Sequence, residues 1–364
     1  MDTKKEIIPF EATHPGTLIK DELDARDIKQ NDFAMEIGVK PNFLNEVIKG
    51  KRPVTADFAL LLEKSLEIPA EYWMRFQSQY EIDNARLKEK NIKRLKHIET
   101  WNIIKEYVPV KFFKKLGYLT TETAENIEKV KEIYSIKNID GLVNVVAENK
   151  ELSFYRKSQK LQIDDVHMLG WSKVAEHEAL KKEICAFDEN QIPQLLEDLK
   201  SIFFSNRNVK EKAKTKLESF GVKHLYLDKF EKTPVDGYSF WSGNNPAIVL
   251  TLRHKRIDNF AFTIFHEIAH IKLHILKNKE SKFIDIIGYE SKDLCEDEAN
   301  KFAQDQLISP EQWQDLLNNY RPINDDNIIS FSKKYKINPA IVLGRINWEK
   351  DFYKIRSGID KTLH

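Results

Sequence analysis

Cysteine is almost missing from this chain: Cys185 and Cys295 are its only two in 364 residues. Two cannot build a disulfide framework, so a secreted, bridge-stapled scaffold is excluded. Glycine and proline are also scarce, at 12 each, which argues against low-complexity architectures and for helix. No apolar run approaches the ~20 residues that a membrane span requires. The opening residues MDTKKEIIPF lack the apolar stretch of a signal peptide. A cytoplasmic protein with no membrane partner is the expectation. Nor does one sign of charge dominate, since 58 Lys and Arg face 57 Asp and Glu, and no global field draws in a polyanion.

What is present in quantity is apolar matter, 41% of the residues, enough for at least two cores in a length that predicts two or three domains. We read three, 1–86, 87–206 and 207–364, in a multidomain, mainly α protein with a small β-sheet. The first zone carries short helices separated by Gly- or Pro-containing turns. The second opens Lys-rich between Asn84 and Lys115, which reads as a solvated helix and linker, with phosphate contact as the alternative. Its remainder reads as a helical spacer or partner-binding domain. The third zone is α+β: strands are expected at Val222–Leu227, Gly237–Trp241 and Ala247–Leu252. Helices are expected over Asp258–Leu276 and from about Lys292 to Leu307. Ser309-Pro310-Glu311-Gln312 opens another, with an N-cap, a proline and a capping-box glutamine in their proper places. The tail from Asp325 has the outline of a second helix–turn–helix, but DNA-facing side chains are sparse in it, and it reads as a closing αα-hairpin.

In the first zone, QNDFAMEIGVKPNFLNEVIKGKRPV has a helix–turn–helix pattern. Phe33, Ala34 and Ile37 mark a short helix, Gly38 a tight turn, and Phe43, Leu44, Val47 and Ile48 the apolar spacing of a second helix. That leaves Lys40, Asn42, Asn45 and Lys49 outward. Asn and Lys can donate to base edges, while Lys49, Lys51 and Arg52 suit phosphates. Charge pulls the other way, because residues 1–80 hold 11 Lys and Arg against 14 Asp and Glu. From periodicity and charge alone, a plain αα-hairpin stays open.

In the third zone, His266-Glu267-Ile268-Ala269-His270 is HExxH. Residues four apart share a helix face, so both imidazoles can grip one ion while Glu267 projects beside it. The apolar flanks Phe260, Phe262, Ile264, Phe265 and Ile271 argue against a solvated helix with two ordinary histidines. Zinc (Zn2+) needs a third protein ligand and an open position. His274 lies a full turn beyond His270, out of reach on a straight helix. Glu296 and Glu298 remain, about 200° apart on the next helix, so only one can face the ion. Glu296 is preferred, because Asn300 stands one turn on and could orient a ligating histidine. Glu298 then reads as a surface carboxylate and Cys295 as packing. In such a site zinc acidifies water and polarises a carbonyl, and Glu267 moves the proton to the leaving amine. A donor to the developing oxyanion is also needed, for which Tyr238 and His254 are candidates. An exposed edge strand at Ala247–Leu252 could hold a peptide.

Two resemblances sharpen these readings. The run from His14 to about Arg86, with HPG, NEVIKGKRPVTADFALLLEKSLEIPAEYW and QSQYEID, resembles the HigA-type antitoxins of the Cro/C1-like helix–turn–helix class. That implies a five-helix DNA-binding domain, usually a homodimer on a palindromic double-stranded operator. It also places Gln30 at the start of the motif's first helix and Lys40, Asn42 and Asn45 on the recognition helix. The segments VDGYSFWSGNNPAIVLTL, FTIFHEIAHIKLH and EDEANKFAQDQLISP are similar to the ImmA/IrrE metallopeptidases. They imply a zincin-like fold with a hairpin and edge strand before the active helix. They also imply His266, His270 and Glu296 as ligands and Glu267 as catalytic base. The function expected is a DNA-binding transcriptional regulator with a zinc endopeptidase that cuts a protein partner or itself. The alternative is an antitoxin-like autorepressor whose C-terminal domain binds a toxin or ligand without proteolysis.

Overall fold

A computed structural model describes residues 11–148, 164–252, 255–286, 294–350 and 357–364. Where the sequence marks boundaries near residues 86 and 206, the chain gathers into two compact units, Met1–Asn102 and Ile103–His364. Helix dominates both.

The first unit contains α1 (Pro15–Ala25), α2 (Gln30–Glu36), α3 (Pro41–Ile48), α4 (Ala56–Leu66) and α5 (Ala70–Leu87). Ile19, Phe33, Leu44, Val47, Leu62 and Trp73 are inaccessible at its centre, each such side chain contributing about 1.5–3 kcal/mol by burial. The opening His14-Pro15-Gly16 has a structural cause. His14 caps α1, its Nδ1 accepting from the Gly16 amide at 2.9 Å, and Pro15 occupies the first helical position. A Cβ on Gly16 would stand 2.1 Å from the Val47 carbonyl oxygen, so a bare Cα is what lets α1 settle on α3. The next helix, α6 (Glu89–Tyr107), contains the boundary between the units and is largely solvent-exposed along its Lys-rich part.

The second unit continues with α7 (Val110–Lys115), α8 (Thr123–Tyr134), α9 (Gly141–Glu148), α10 (Asp165–Lys181), α11 (Ile192–Ser205) and α12 (Val209–Ser219). Strands β1 (Lys223–Tyr226), β2 (Val235–Ser242) and β3 (Asn245–Leu250) follow. Then come α13 (Ile257–His270), a wide π turn over Ile271–Ile275, and β4 (Phe283–Ile286). The chain closes with α14 (Leu294–Leu307), α15 (Pro310–Asn319), α16 (Asp325–Tyr335) and α17 (Pro339–Lys350). The expected capping box is formed at Ser309 and Gln312. Helices α16 and α17 close the unit as an αα-hairpin, with Phe331, Ile341, Val342 and Ile346 in the same core as α13.

The sheet runs in the order β1-β3-β2-β4, with β1 parallel to β3 and both other pairings antiparallel. This corrects one expectation: Ala247–Leu252 is not an exposed edge. β3 is paired on both sides and buried along its whole length, because β1 arrives from α12 and adds outside it. Its unbroken apolar run Ala-Ile-Val-Leu is what a strand covered on both faces requires. Among the described residues the edges are β1 and β4. Helix α10 covers one face of the sheet, with Trp171 6.0 Å from Tyr238, and α13 covers the other.

Candidate DNA-reading helix and candidate metal centre

In the first unit, α2 and α3 meet through a turn at Gly38, whose φ is +72°. Leu44 and Val47 turn α3 inward, which leaves Lys40, Asn42 and Lys49 exposed and Asn45 half-buried. Gln30, the first residue of α2, is half-buried. Lys51 and Arg52 stand exposed in the loop beyond, where the Lys51 amide donates back to the Glu46 carbonyl at 2.8 Å. Arg52 is not a free cation. It is ion-paired with Glu46 and lies 5.7 Å above the Phe43 ring. Six of the seven residues named from the sequence therefore share one stretch of surface from the N-cap of α3 to its following loop, with Gln30 at the head of α2.

In the second unit, α13 is buried over most of its length, including His266, Glu267 and His270. The His266 and His270 Nε2 atoms are 2.9 Å apart. Helix α14 brings Glu296 between them, its oxygens 3.2 Å from His266 Nε2 and 3.5 Å from His270 Nε2. Around one ion with bonds of about 2.0–2.2 Å, tetrahedral donors lie about 3.3 Å from one another, and these three separations bracket that value. The backs of both rings are engaged: Asn300 Oδ1 is 3.1 Å from His266 Nδ1, and His274 Nδ1 is 3.2 Å from His270 Nδ1. Phe283 of β4 stacks on the His270 ring at 4.2 Å and 16°. Two imidazoles and a carboxylate of this kind fit zinc.

Electrostatics follow the same geometry. Burial opposes charge on His266, but the Glu296 contact and the nearby Asp285 and Glu267 carboxyls outweigh it and hold its imidazolium up to about 9. His270 moves the other way, down to about 4, through burial and repulsion by its charged neighbour against the pull of Glu296. Burial would raise Glu296, yet its contacts with the two histidines bring it down to about 2. Glu267 is fully buried, and burial pushes its carboxyl up to about 8. The Ser239 hydroxyl of β2 lies beside it and works against that rise, although neither group makes a hydrogen bond of good geometry among the described residues.

Gly237 of β2 makes room for that carboxylate. A Cβ there would stand 2.0 Å from Glu267 Oε1. Since neighbouring strand residues point to opposite faces, Tyr238 points away from the metal centre. Its hydroxyl donates to Glu176 of α10 at 2.7 Å, and Lys282 donates to the same carboxylate at 2.6 Å. Tyr238 is thus a strut between sheet and helix, and the oxyanion-donor reading of it does not hold. His254 lies outside the described residues.

Three neighbours of the site have contacts that the motif does not predict. Asp285 of β4, paired with Gly237 and so on the same face, offers an oxygen within 4.8 Å of the His266 and Glu267 ligand atoms. Burial pushes its carboxyl up. An acid among Phe283, Ile284 and Ile286 was the available signal. His274 and Glu298, dismissed as ligands, touch each other at 3.1 Å. Glu298 is on the surface, as expected, but it is not idle there.

Residues 217–347 match the IrrE N-terminal-like domain of the M78 peptidases, and residues 19–73 match the helix–turn–helix family. Virulence-associated protein A′ of Dichelobacter nodosus is 36% identical over 73 residues, which is 20% of this chain and 64% of that protein's length. Virulence-associated protein I of the same organism is 29% identical over 82 residues, 22% of this chain and 76% of its own. Among solved structures, an addiction module antidote protein of a HigA family from Coxiella burnetii is 30% identical, covering 24% of this chain and 94% of that one, with a TM-score of 0.23.

Proposed function

We propose that this chain, which joins an N-terminal helix–turn–helix domain to a C-terminal IrrE-like domain of the M78 peptidases, is a DNA-binding transcriptional regulator with a zinc-dependent endopeptidase that cleaves a protein partner or itself. One observation carries the enzymatic half. His266, His270 and Glu296 converge while the adjacent Glu267 keeps a fully buried carboxylate beside them, with the Ser239 hydroxyl next to it. A purely structural site would not need a carboxylate so costly to bury. When bound there, zinc supplies Lewis acidity toward a carbonyl and makes water more acidic.

The chain's own residues supply the rest. Glu267 takes a proton from the attacking water and returns it to the leaving amine. Burial pushes its carboxyl up, which makes it a stronger base than an exposed glutamate. An extended peptide would run along β4, which is paired only with β2 among the described residues and carries Phe283 and Asp285 at the site. In the first unit, Lys40, Asn42 and Asn45 would meet base edges in the major groove, with Gln30, Lys49, Lys51 and Arg52 on the backbone. A homodimer on a palindromic operator fits this arrangement.

The test is metal content together with cleavage. Purified protein should carry one zinc. Glu267→Gln should keep that zinc while losing about 10²–10⁴-fold in hydrolysis of a partner encoded in the same operon, or of the chain itself. Protein without zinc, or unchanged cleavage by the variant, sinks the enzymatic reading. A second reading, an antitoxin-like autorepressor whose second unit binds a toxin without cutting it, is favoured by the HPG-to-EYW run in residues 14–73. An adjacent reading frame for a small basic ribonuclease, together with a cleavage-neutral Glu267→Gln, would select it.

A further inference from the structure

Three histidines, not two, stand in a row on the active helix, and the third is aimed by a break in that helix. In a regular α-helix four residues advance about 400°. Here the turn Ile271–Ile275 widens to π geometry, with the Leu276 amide donating to the Ile271 carbonyl at 3.0 Å. Ile271 and Ile275 stay in the core, while His274 is carried behind His270, its Nδ1 3.2 Å from the His270 Nδ1. Its Nε2 lies 3.1 Å from Glu298 Oε2 on α14. Such wide turns are rare and cluster at functional sites.

Proton counting gives the chain a direction. An ionised carboxylate only accepts, so the His274 nitrogen facing Glu298 carries a hydrogen. In neutral His274 the other nitrogen, Nδ1, is then bare and can only accept. The proton between the two rings therefore belongs to His270 Nδ1, and the lone pair of His270 Nε2 is left free on the side of His266 and Glu296. Asn300 does the same for His266, its Oδ1 accepting from Nδ1. We propose that His274 and Glu298 are positioning residues that hold His270 in the tautomer and orientation needed to bind the metal ion. This rests on the zinc-site reading above. Glu298 acts only through His274, being the outer and more exposed member, with 61% of its side chain accessible against 8% for His274.

The experiment is zinc affinity of the full chain, measured by competition with a chromogenic chelator, with thermal melts of each metal-free variant as a control on folding. His274→Phe keeps the ring's bulk but removes the acceptor, and should weaken zinc about 10–100-fold. His274→Gln, which can present an amide oxygen to His270 Nδ1, should restore most of that loss. Glu298→Leu should cost less than His274→Phe, and Glu298→Gln less still, because its amide oxygen also accepts. The double variant His274→Phe/Glu298→Leu should bind no more weakly than His274→Phe alone, the sign of two residues acting in series. In long-range ¹H–¹⁵N spectra, His270 should carry its proton on Nδ1 in the wild type and become a tautomer mixture in metal-free His274→Phe. Wild-type zinc affinity in His274→Phe overturns the proposal while leaving the zinc site standing. Additive losses, or His270 protonated on Nε2 in the wild type, also overturn it. A wild-type chain that binds no zinc overturns both.

Discussion

A single carboxylate carries the greatest physical load in the second unit. Glu267 is fully buried, and burial opposes its charged form more strongly than the neighbouring Ser239 hydroxyl supports it. Such a group persists only if its surroundings are shaped for it, and the shape comes from Gly237, whose missing side chain is the carboxylate's space. Gly237→Ala should therefore be costly without touching a candidate ligand. Loss of about 1–3 kcal/mol in chemical denaturation is expected from the overpacking. If Glu267 carries the proton as proposed, hydrolysis should fall far more than zinc affinity. An alanine variant with wild-type turnover would show that Glu267 needs no such space.

Helices and strands decide which of these residues can meet. Helix α3 presents Asn42 and Lys49 at opposite ends of one exposed stretch, and the two should fail differently. Asn42→Ala is expected to lose about 1–3 kcal/mol on the operator and little on random DNA. Lys49→Ala should weaken all sequences alike and lower the salt slope by about one. Binding isotherms over a salt series separate the two. The sheet makes a pH prediction through His224 of β1, which is fully buried, donates from Nδ1 to the Ile248 carbonyl at 3.0 Å, and leaves Nε2 without a partner among the described residues. Burial brings its imidazole down from 6.5 to about 3. Below pH 6.5 the unfolded chain takes up a proton that the folded sheet refuses. Its contribution is therefore intact above pH 6.5 and is lost as pH falls toward 3, at about 1.4 kcal/mol per pH unit. Between pH 7 and 4.5 the second unit of His224→Leu should lose less stability per pH unit than the wild type, the difference approaching about 1.4 kcal/mol per pH unit in chemical denaturation.

For the molecule as a whole, the division at residue 102 places the DNA-reading helices and the candidate metal centre in separate compact units. Each has its own core, so heating should give two transitions. A ligand that binds only the native form raises the transition of the unit that holds it. Stripping zinc with a chelator should thus lower the midpoint of one transition and leave the other in place. Operator DNA should raise only the transition that the chelator spares. A single transition moved by both treatments would show one cooperative body instead.

Local chemistry made much of this legible beforehand. His266 and His270 share a face at any helix of that spacing, Ser309 and Gln312 cap any helix that starts between them, and Leu44 and Val47 turn α3 the same way wherever it docks. Helical spacing said only that Glu296 and Glu298 cannot both face one ion, and Asn300 gave the preference for Glu296, whose oxygens lie 3.2 Å and 3.5 Å from the two imidazoles. What tertiary structure decided was every relation between segments distant in the chain. β3 became interior when β1 paired beside it, Tyr238 faced α10 because Gly237 had to face Glu267, and His274 gained a partner when the helix widened and α14 crossed it. Intervals along the sequence encode the period of one helix or strand. Which neighbour covers its remaining faces is settled only when the whole core is packed.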